Sequence, residues 1–321
     1  MAERLSRAAN RRLAPLNGVT VPVLQDHGGY IAEFDIGHPP QRAQAIVDPM
    51  TDLVWTQSST CRPNCFAQNL GFFNFSLSYT DYPVPCDHSM CAAGYETKPC
   101  MGSGDDNDEG TCPVRATNFE YVAAGVLRTD IFMFGEPRVN AYVNITFGCV
   151  SQTNFGNLDG ASGFLGLGRG ALSFVSQVGG NRFSYCLTRL SDDLDPSTLF
   201  VGSSAGLGGD GPVTSVPFVE SPDEEPFSSL YYLPMSGIEF AGWVFIPLRA
   251  FRIRQVAPGL WTGGVVISTT IPVTFLVDEA YRILSQRVSE HLGSNLVPAP
   301  VDSGLEFCVA AEDQWRRTKK N

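Results

Sequence analysis

Short runs of alternating apolar and polar residues recur along most of this chain. In YIAEFDIG (residues 30–37) the apolar side chains fall on every second position, which is the pattern of a strand with one buried face. Shorter apolar runs, separated by Gly, Pro, Asn and Asp, predict further strands at Ile131–Phe134, Ile145–Gly148, Thr198–Gly202 and Tyr231–Ile238. The chain is therefore expected to be mainly β.

One late segment follows a helical period instead. Four apolar side chains of EAYRILSQRVSEHL (residues 279–292) share one helix face, Asp278 stands where an N-cap is needed, and Gly293 can end the helix. The glycine-rich stretch SSAGLGGDGP (residues 203–212) is nearly free of apolar side chains and marks a boundary. The predicted divisions are an N-terminal extension (1–28), a first lobe with a cysteine-rich insertion (29–205) and a second lobe (230–321).

Composition and charge exclude several classes of partner. The chain has 321 residues, 43% hydrophobic and 17% charged, which is typical of a globular protein. Its net charge is −11, and eight of its 22 Lys and Arg residues lie in the first twelve or the last seven positions. The acidic remainder argues against nucleic acid and anionic membranes as partners. No apolar run approaches the ~20 residues of a bilayer-spanning helix, and no signal peptide is expected at the N-terminus.

The nine cysteines indicate a disulfide-stapled loop. Six of them crowd into one loop-rich stretch between Cys61 and Cys112. A zinc site is the competing interpretation, but their spacings form no paired C-x₂-C hooks and the four histidines are scattered. Disulfides are therefore favoured, and the odd count leaves one cysteine unpaired. Two N-glycosylation sequons, at Asn74 and Asn144, agree with a secretory protein.

Several longer stretches resemble one protein family. They are YIAEFDIGHPPQRAQAIVDPMTDLVWTQ, ITFGC, GASGFLGLGRGALSFVSQVGGNRFSYCL and GGVVISTTIPVTFLVDEAY, and together they resemble the plant, nepenthesin-like branch of pepsin-like aspartic peptidases. The resemblance implies a bilobal β fold with a cleft between lobes, a peptide or protein substrate, and one catalytic aspartate from each lobe. It also implies a monomer without metal or cofactor, located outside the cell or in the vacuole. A sister group resembles these peptidases in fold but inhibits xylanases.

The two catalytic motifs depart from the family pattern. Asp48 is retained, but Pro49 and Met50 follow it where the family has Thr and Gly. Proline lacks the hydroxyl and the N–H with which this position locks the two catalytic loops together, and Met50 is expected either to strain the turn or to intrude into the site. Alignment places Ser268 at the second aspartate, with Thr269 after it. A serine hydroxyl supplies no second carboxylate.

Other candidate features are interpreted more plainly. Asp302 begins a literal Asp-Ser-Gly, but no buried strand precedes it, so a loop is favoured. The flap of the family, a Tyr-Gly hairpin over the substrate, is approximated here only by Phe119 or Tyr121. The glycine run GFLGLGRG (163–170) lacks the spacing and lysine of a phosphate loop and matches the turn that packs beside the first catalytic loop.

Three functional interpretations remain open. The favoured one is a catalytically inactive homologue of the aspartic endopeptidases. The second is a binding or inhibitor protein that resembles the xylanase inhibitors and has a glycosidase as partner. The third is a weakly active acid endopeptidase. The resemblance also predicts further strands beyond Cys308, so the second lobe is expected to be incomplete and Cys308 to be the unpaired thiol.

Overall fold

The computed structural model describes most of the chain as two compact units. The described residues are 18–26, 29–93, 97, 100, 110–118, 121–135, 141–188, 197–208, 211–244, 248–270, 274–301 and 307–309. The first unit runs to Leu233 and includes the returning segment Val266–Val273. The second unit comprises Pro234–Val265 and the chain from Thr274 onward.

The first unit is built on one large sheet. Its strands are β1 (Gly18–Asp26), β2 (Gly29–Ile36), β3 (Gln41–Asp48), β4 (Trp55–Gln57), β5 (Tyr82–Pro83), β6 (Pro113–Asn118), β7 (Tyr121–Phe134), β8 (Ala141–Thr153), β9 (Gly163–Gly166), β10 (Phe183–Cys186) and β11 (Ser197–Gly202). Their order is β10-β11-β1-β2-β3-β9-β4-β8-β7-β5, with β6 paired to β7. The mainly β prediction is confirmed. The strand β1, which the sequence placed in an N-terminal extension, pairs with both β2 and β11.

Short helices accompany this sheet. They are α1 (Ser89–Ala93), α2 (Phe174–Val178) and two 3-10 turns at Phe75–Leu77 and Phe227–Ser229. Nearly all strand pairs are antiparallel, but β9 runs parallel to β3 and β8 runs parallel to β4. The parallel pair of β3 and β9 brings the end of β3 beside the glycine run.

Alternating side chains of the strands build the core of the first unit. In β2 the side chains of Ala32, Phe34 and Ile36 are buried, as the period-two pattern predicts. The ring of Phe34 stacks on Phe132 of β7 with centroids 5.1 Å apart, and Phe132 meets Phe147 of β8 edge-on at 5.2 Å. Strand β3 is buried on both faces from Ala45 to Asp48, because Ala45 and Val47 pack into one hydrophobic cluster and Ile46 packs into the other.

The crowded cysteines pair as the sequence predicts, but more cysteines remain unpaired than expected. Three disulfides join Cys61 to Cys65, Cys86 to Cys100 and Cys91 to Cys112, so the six crowded cysteines pair among themselves. The expectation of one unpaired cysteine was wrong. Cys308 is free, as expected, but so are the buried Cys149 and the exposed Cys186.

The second unit contains small hairpins and one long helix. Its elements are β12 (Glu239–Phe240), β13 (Trp243–Val244), β14 (Arg254–Ala257), β15 (Leu260–Thr262), α3 (Asp278–Leu292), β16 (Leu296–Pro298), β17 (Phe307–Val309) and 3-10 turns at Leu248–Phe251 and Gly293–Asn295. The strands pair in order as three two-stranded sheets. Among the described residues of this unit, Ala280 is the fully buried apolar side chain. Ile238, Phe251 and Ile283 pack around it.

Two local predictions need correction. Val277, not Asp278, is the N-cap of α3; Asp278 is its first residue, and its carboxylate pairs with Arg282. Gly293 ends the helix with a φ of 51°, as expected. The predicted strand at Tyr231–Ile238 does not form, and only Tyr232 makes an isolated bridge to Val266. Pro234 lies inside that stretch and has no N–H to donate to a ladder.

None of the helices in the described part of the chain combines the length and the apolar character that a bilayer crossing requires.

Candidate active site

The first motif lies at the end of a buried strand. Asp48 is the last residue of β3, is only 2% exposed, and stands opposite Gly166 of β9. Its backbone carbonyl accepts a 2.8 Å hydrogen bond from the N–H of Leu167, and its carboxylate Oδ1 accepts a 3.0 Å bond from the N–H of Met50. The strand and the glycine run therefore fix the position of this carboxylate from both sides.

The second motif returns to the first unit and lies against the first motif. The hydroxyl of Thr269 donates a 2.7 Å hydrogen bond to the carbonyl oxygen of Val47, the residue before Asp48. The N–H of Thr270 donates a 3.1 Å bond to the Ser268 hydroxyl oxygen. The same local hydrogen bond therefore occurs in both motifs. In each, the backbone N–H of the third residue (Met50 or Thr270) donates to the side-chain oxygen of the first residue. Ser268 occupies the place in its turn that Asp48 occupies in the other.

The middle residues of the two motifs are not equivalent. Thr269 reaches across with its hydroxyl, whereas Pro49 is buried and can neither donate from a hydroxyl nor from its nitrogen. In the family pattern the middle residue of each motif can donate a hydrogen bond to the other loop. Here only Thr269 donates such a bond, because Pro49 has no donor. Met50 does not adopt a left-handed φ; the non-glycine residues of the described chain that do so are Asp159, Asn181 and Ala241. The sequence predicted that Met50 would either strain the turn or intrude into the site. The expectation of a strained, left-handed backbone at Met50 is therefore wrong.

Burial dominates the electrostatics of Asp48. Desolvation raises the pKa of its carboxyl, and the Met50 N–H and the hydroxyls of Thr270 and Thr51 act in the opposite direction. All three of these opposing groups are hydrogen-bond donors, and within the described residues no second carboxylate contributes to the shift. The buried Thr51 and Thr270 hydroxyls lack a well-directed hydrogen bond to any described group. The surroundings of Asp48 therefore consist of hydrogen-bond donors and not of a second carboxylate.

A second buried carboxylate, Asp52, was missed by the sequence analysis. It is 4% exposed, and its Oδ1 accepts a 2.8 Å hydrogen bond from the N–H of Gly170. Desolvation raises the pKa of its carboxyl, an effect that Ser229 and the Gly170 N–H oppose and Glu225 reinforces. The only local signal was an aspartate between the first motif and the apolar residues of β4.

The glycine run is explained by this carboxylate. A Cβ at Gly168 or Gly170 would lie 2.1 Å from a carboxylate oxygen of Asp52, and a Cβ at Gly166 would lie 2.3 Å from the Asp52 carbonyl oxygen. No side chain fits at such distances. The glycines therefore serve close packing beside the first motif, which agrees with the structural interpretation of the glycine run.

The residues assigned to the flap are only partly described. Tyr121, the first residue of β7, is 49% exposed and its ring stacks on Phe155 with centroids 5.1 Å apart. Phe155 in turn contacts the buried Trp55 at 5.6 Å, so an aromatic path links Tyr121 to the strand that follows the first motif. Phe119 and Asp302 lie outside the described residues. In the described part of the chain no three His, Cys, Asp or Glu side chains cluster to hold a metal ion.

Comparison with known protein families shows which family this chain belongs to. A family model described as "Xylanase inhibitor N-terminal" matches residues 30–203, and one described as "Xylanase inhibitor C-terminal" matches residues 230–320. Nepenthesin-2, an aspartic proteinase of Nepenthes gracilis, is 30% identical over 95% of this chain and 65% of its own length. The chain belongs to the plant branch of the pepsin-like aspartic peptidase family. It spans 65% and 66% of the length of the two Nepenthes gracilis nepenthesins, and a smaller share of other curated relatives that it matches.

Solved structures show the same fold at low sequence identity. The basic 7S globulin from soybean superimposes with a TM-score of 0.65 at 17% identity, over 92% of this chain and 75% of that one. An aspartic proteinase from Irpex lacteus gives a TM-score of 0.53 at 13% identity, over 92% and 77% of the two chains. The fold is therefore the pepsin-like fold of the family.

Proposed function

We propose that this chain is a catalytically inactive member of the pepsin-like aspartic peptidase family. Peptide hydrolysis by such enzymes needs two carboxyl groups that share a proton around one water, one acting as base and the other as acid. The observation that carries the proposal is the position of Ser268. Its hydroxyl takes the place in the second turn that the Asp48 carboxylate takes in the first.

The surroundings of Asp48 support the same proposal. A neighbouring carboxylate would raise the pKa of Asp48 by repulsion between like charges, but burial is the cause found here and hydrogen-bond donors oppose it. Asp52 cannot substitute as the second acid without leaving the Gly170 N–H, to which it is bonded at 2.8 Å. A single carboxylate can bind and orient a polar group, but it cannot supply both proton transfers.

The missing half of the loop contact also opposes efficient catalysis. The Thr269 hydroxyl donates a hydrogen bond to the Val47 carbonyl of the first loop, while Pro49 has no group that can donate a hydrogen bond to the second loop. Proton transfer depends on groups held within hydrogen-bond reach of the reacting water, so loosely fixed loops lower the rate even where both acids are present. Restoring the second carboxylate alone is therefore not sufficient.

Digestion of a denatured protein substrate at acidic pH, with and without a statine-type inhibitor, tests the proposal. We expect no inhibitor-sensitive cleavage by the unmodified chain or by Ser268→Asp. Recovery is expected only when both motifs are rebuilt, by adding Pro49→Thr, Met50→Gly and Thr270→Gly to Ser268→Asp. Asp48→Asn in the rebuilt chain is the control for a contaminating peptidase. Inhibitor-sensitive cleavage by the unmodified chain would overturn the proposal and favour a weakly active endopeptidase.

A binding function is the second candidate. The family models that match the chain are those of xylanase inhibitors, over residues 30–203 and 230–320, and such a protein needs no catalytic dyad. The partner would be a glycosidase bound as a folded protein rather than cut as a peptide. Release of reducing sugar from xylan by a purified xylanase, measured with increasing amounts of the folded chain, distinguishes the two candidates. Unchanged xylanase activity at a large excess of the chain would remove this candidate.

The proposed location is the secretory route, ending outside the cell or in the vacuole. Three disulfides require an oxidising compartment. Of the two sequons, Asn144 is exposed on β8, whereas Asn74 caps a 3-10 turn and its side-chain oxygen accepts a 3.1 Å bond from Ser76. Expression with a secretion signal should therefore yield a folded monomer with a glycan on Asn144. Loss of the endoglycosidase mass shift in Asn144→Gln, but not in Asn74→Gln, is the expected outcome.

A further inference from the structure

A cavity of about 280 Å³ lies in the first unit, directly beside the two motifs. Pro49, the residue after Asp48, and Ile267, the residue before Ser268, form part of its wall. Pro49 presents an apolar ring at the position where the family pattern has a threonine hydroxyl. The substitution that weakens the catalytic motif therefore also gives this cavity an apolar wall.

Aromatic rings form most of the remaining wall. Phe183 meets Tyr231 edge-on with centroids 5.7 Å apart, and Phe218 lies 5.3 Å from Tyr231. The Tyr231 hydroxyl donates a 2.9 Å bond to the carbonyl of Leu167, and burial raises the pKa of Tyr231 to about 12, so the ring is fixed and uncharged. Phe218 is 57% exposed, so a large apolar ring stands open to solvent at this site. Such a surface favours a flat aromatic guest.

The charged group at the mouth of the cavity is an arginine. Arg182 is exposed, and its Nε donates a 3.0 Å hydrogen bond to the carbonyl of Gly202. That bond fixes the guanidinium, while its two terminal nitrogens make no hydrogen bond or ion pair with the described residues. A planar guanidinium presents paired donors that suit a carboxylate. Arg182 is thus the charged side chain among the residues that line the cavity, on a chain whose net charge is −11.

We propose that this cavity binds a small organic anion that has an aromatic body and a carboxylate. The apolar part lies between Pro49 and the ring of Phe218, and the carboxylate meets Arg182. The volume is close to the lower limit of ligand pockets, roughly 300 Å³, which restricts the guest to about two fused rings. Binding needs no peptidase chemistry, so the inference is independent of whether the chain cleaves peptides.

The wall of the cavity is connected to the first motif through the backbone. Tyr231 holds the carbonyl of Leu167, and the N–H of Leu167 holds the carbonyl of Asp48. A guest packed against the Tyr231 ring is therefore connected to the backbone of Asp48 through two hydrogen bonds. Ligand binding should stabilise the first unit against unfolding by mass action.

Calorimetric titration with 2-naphthoate and with its neutral analogue 2-naphthylmethanol tests the proposal. We expect 2-naphthoate to bind the folded chain with a submillimolar Kd and the alcohol to bind about fivefold more weakly, the contribution of an exposed charge contact. Arg182→Gln should remove the difference between the two probes. Phe218→Ala should weaken both by about tenfold, the effect of losing an aromatic contact residue.

Matched variants elsewhere on the first unit control for general effects. Arg115→Gln removes an exposed arginine from β6, and Phe72→Ala removes a 42% exposed phenylalanine, and neither should change either Kd. Circular dichroism and the urea midpoint establish that each variant is folded. Failure of 2-naphthoate to bind at millimolar concentration would overturn the proposal. So would equal affinity for both probes, or equal losses from Phe72→Ala and Phe218→Ala.

Discussion

The hydroxyl of Thr269 donates a 2.7 Å hydrogen bond to the carbonyl oxygen of Val47, a residue 222 positions earlier in the chain. This bond ties the second motif to the strand that carries Asp48. It forms although a serine, Ser268, stands beside it where the family pattern has an aspartate, so the two motifs are assembled in this chain. The loss of catalysis proposed above therefore leaves the local architecture in place.

Removing this hydroxyl should loosen the contact between the motifs. Thr269→Val keeps the shape of the side chain but leaves the Val47 carbonyl without this donor, and it should lower the free energy of unfolding by about 1 kcal/mol. Thr269→Ser, which keeps the hydroxyl, is the matched control. Urea unfolding of the two variants measures the difference. Equal stability of both would mean that the bond contributes nothing to holding the motifs together.

The ion pair between Arg128 and Asp81 should contribute far more than surface pairs. The side chains are 14% and 3% exposed, and the Arg128 Nε lies 2.8 Å and 2.9 Å from the two carboxylate oxygens. Arg128→Met leaves a buried, unpaired carboxylate and should cost about 3 kcal/mol or more. In Arg42→Met, which breaks a pair whose arginine is 65% exposed, the loss should stay below about 1 kcal/mol. Similar losses in both variants would contradict the importance of burial.

A fourth disulfide should form when Ser58 is replaced by cysteine. Strands β4 and β8 run parallel with Thr56 opposite Cys149, and the N–H of Ser58 donates a 2.9 Å hydrogen bond to the carbonyl of Val150, the residue after Cys149. Under oxidising conditions Ser58→Cys should reduce the free thiols from three to two and stabilise the chain by about 2–4 kcal/mol.

The thiols must be counted in denaturant for this test. Cys149 is buried, and burial raises the pKa of its thiol to about 11, so it resists labelling in the folded chain. Ser58→Ala should keep three thiols. Four free thiols in oxidised Ser58→Cys would show that the two side chains cannot reach bonding geometry.

Stability should depend on pH through Asp52. Burial raises the pKa of its carboxyl above the ordinary value of 3.8, so the folded chain binds this proton more tightly than the unfolded chain does. Its contribution to the free energy of unfolding is fully present below pH 3.8 and is lost as the pH rises through the folded-state pKa. Asp52→Asn should therefore become relatively more stable, compared with the unmodified chain, as the pH rises from 3.8 to neutrality.

Other groups act near Asp52, and a control separates their effects. Glu225 reinforces the shift, while Ser229 and the Gly170 N–H oppose it. Asp223→Asn, which removes an exposed carboxylate from the same loop as Glu225, is the control for a change of net charge in this region. A parallel pH profile for Asp52→Asn and the unmodified chain would contradict the assignment.

Limited proteolysis should attack the second unit before the first. In the described residues of the second unit the fully buried apolar side chain is Ala280, whereas the first unit contains two extensive buried clusters. Phe275 is 75% exposed and Leu260 55% exposed, so apolar side chains there remain in solvent. Mass spectrometry should find early cuts after position 234 and a persistent fragment covering residues 29–233. Equal resistance of both halves would contradict this expectation.

Much of the local structure could be predicted from the sequence. The alternation of YIAEFDIG places Ala32, Phe34 and Ile36 in the core because a strand turns successive side chains to opposite faces. The crowding of six cysteines predicted their pairing, since short separations along the chain bring thiols together. The helix end at Gly293 followed from the conformational freedom of glycine.

Features that depend on contacts between distant parts of the chain were predicted less accurately. Asp278 looked like an N-cap by residue type, but the chain enters the helix one residue earlier, at Val277. One free cysteine was expected by parity, whereas three are free because Cys149 and Cys186 have no cysteine placed to meet them. The role of Asp52 could not be predicted, because its partner Gly170 lies 118 positions away.

The sequence by itself determined the alternating strands of the first unit that it predicted, the pairing of the crowded cysteines among themselves and the family resemblance, since each depends on residue type or short spacing. It also predicted Ser268 at the position of the second aspartate. Only the tertiary structure decided that Thr269 still holds Val47, that Asp52 fixes the glycine run, and that Pro49 borders a cavity of about 280 Å³. Local pattern dictates which face of a strand is buried, but it carries no information on which distant element will cover that face. Contacts between residues more than a hundred positions apart arise only when the sheet assembles and burial selects their partners.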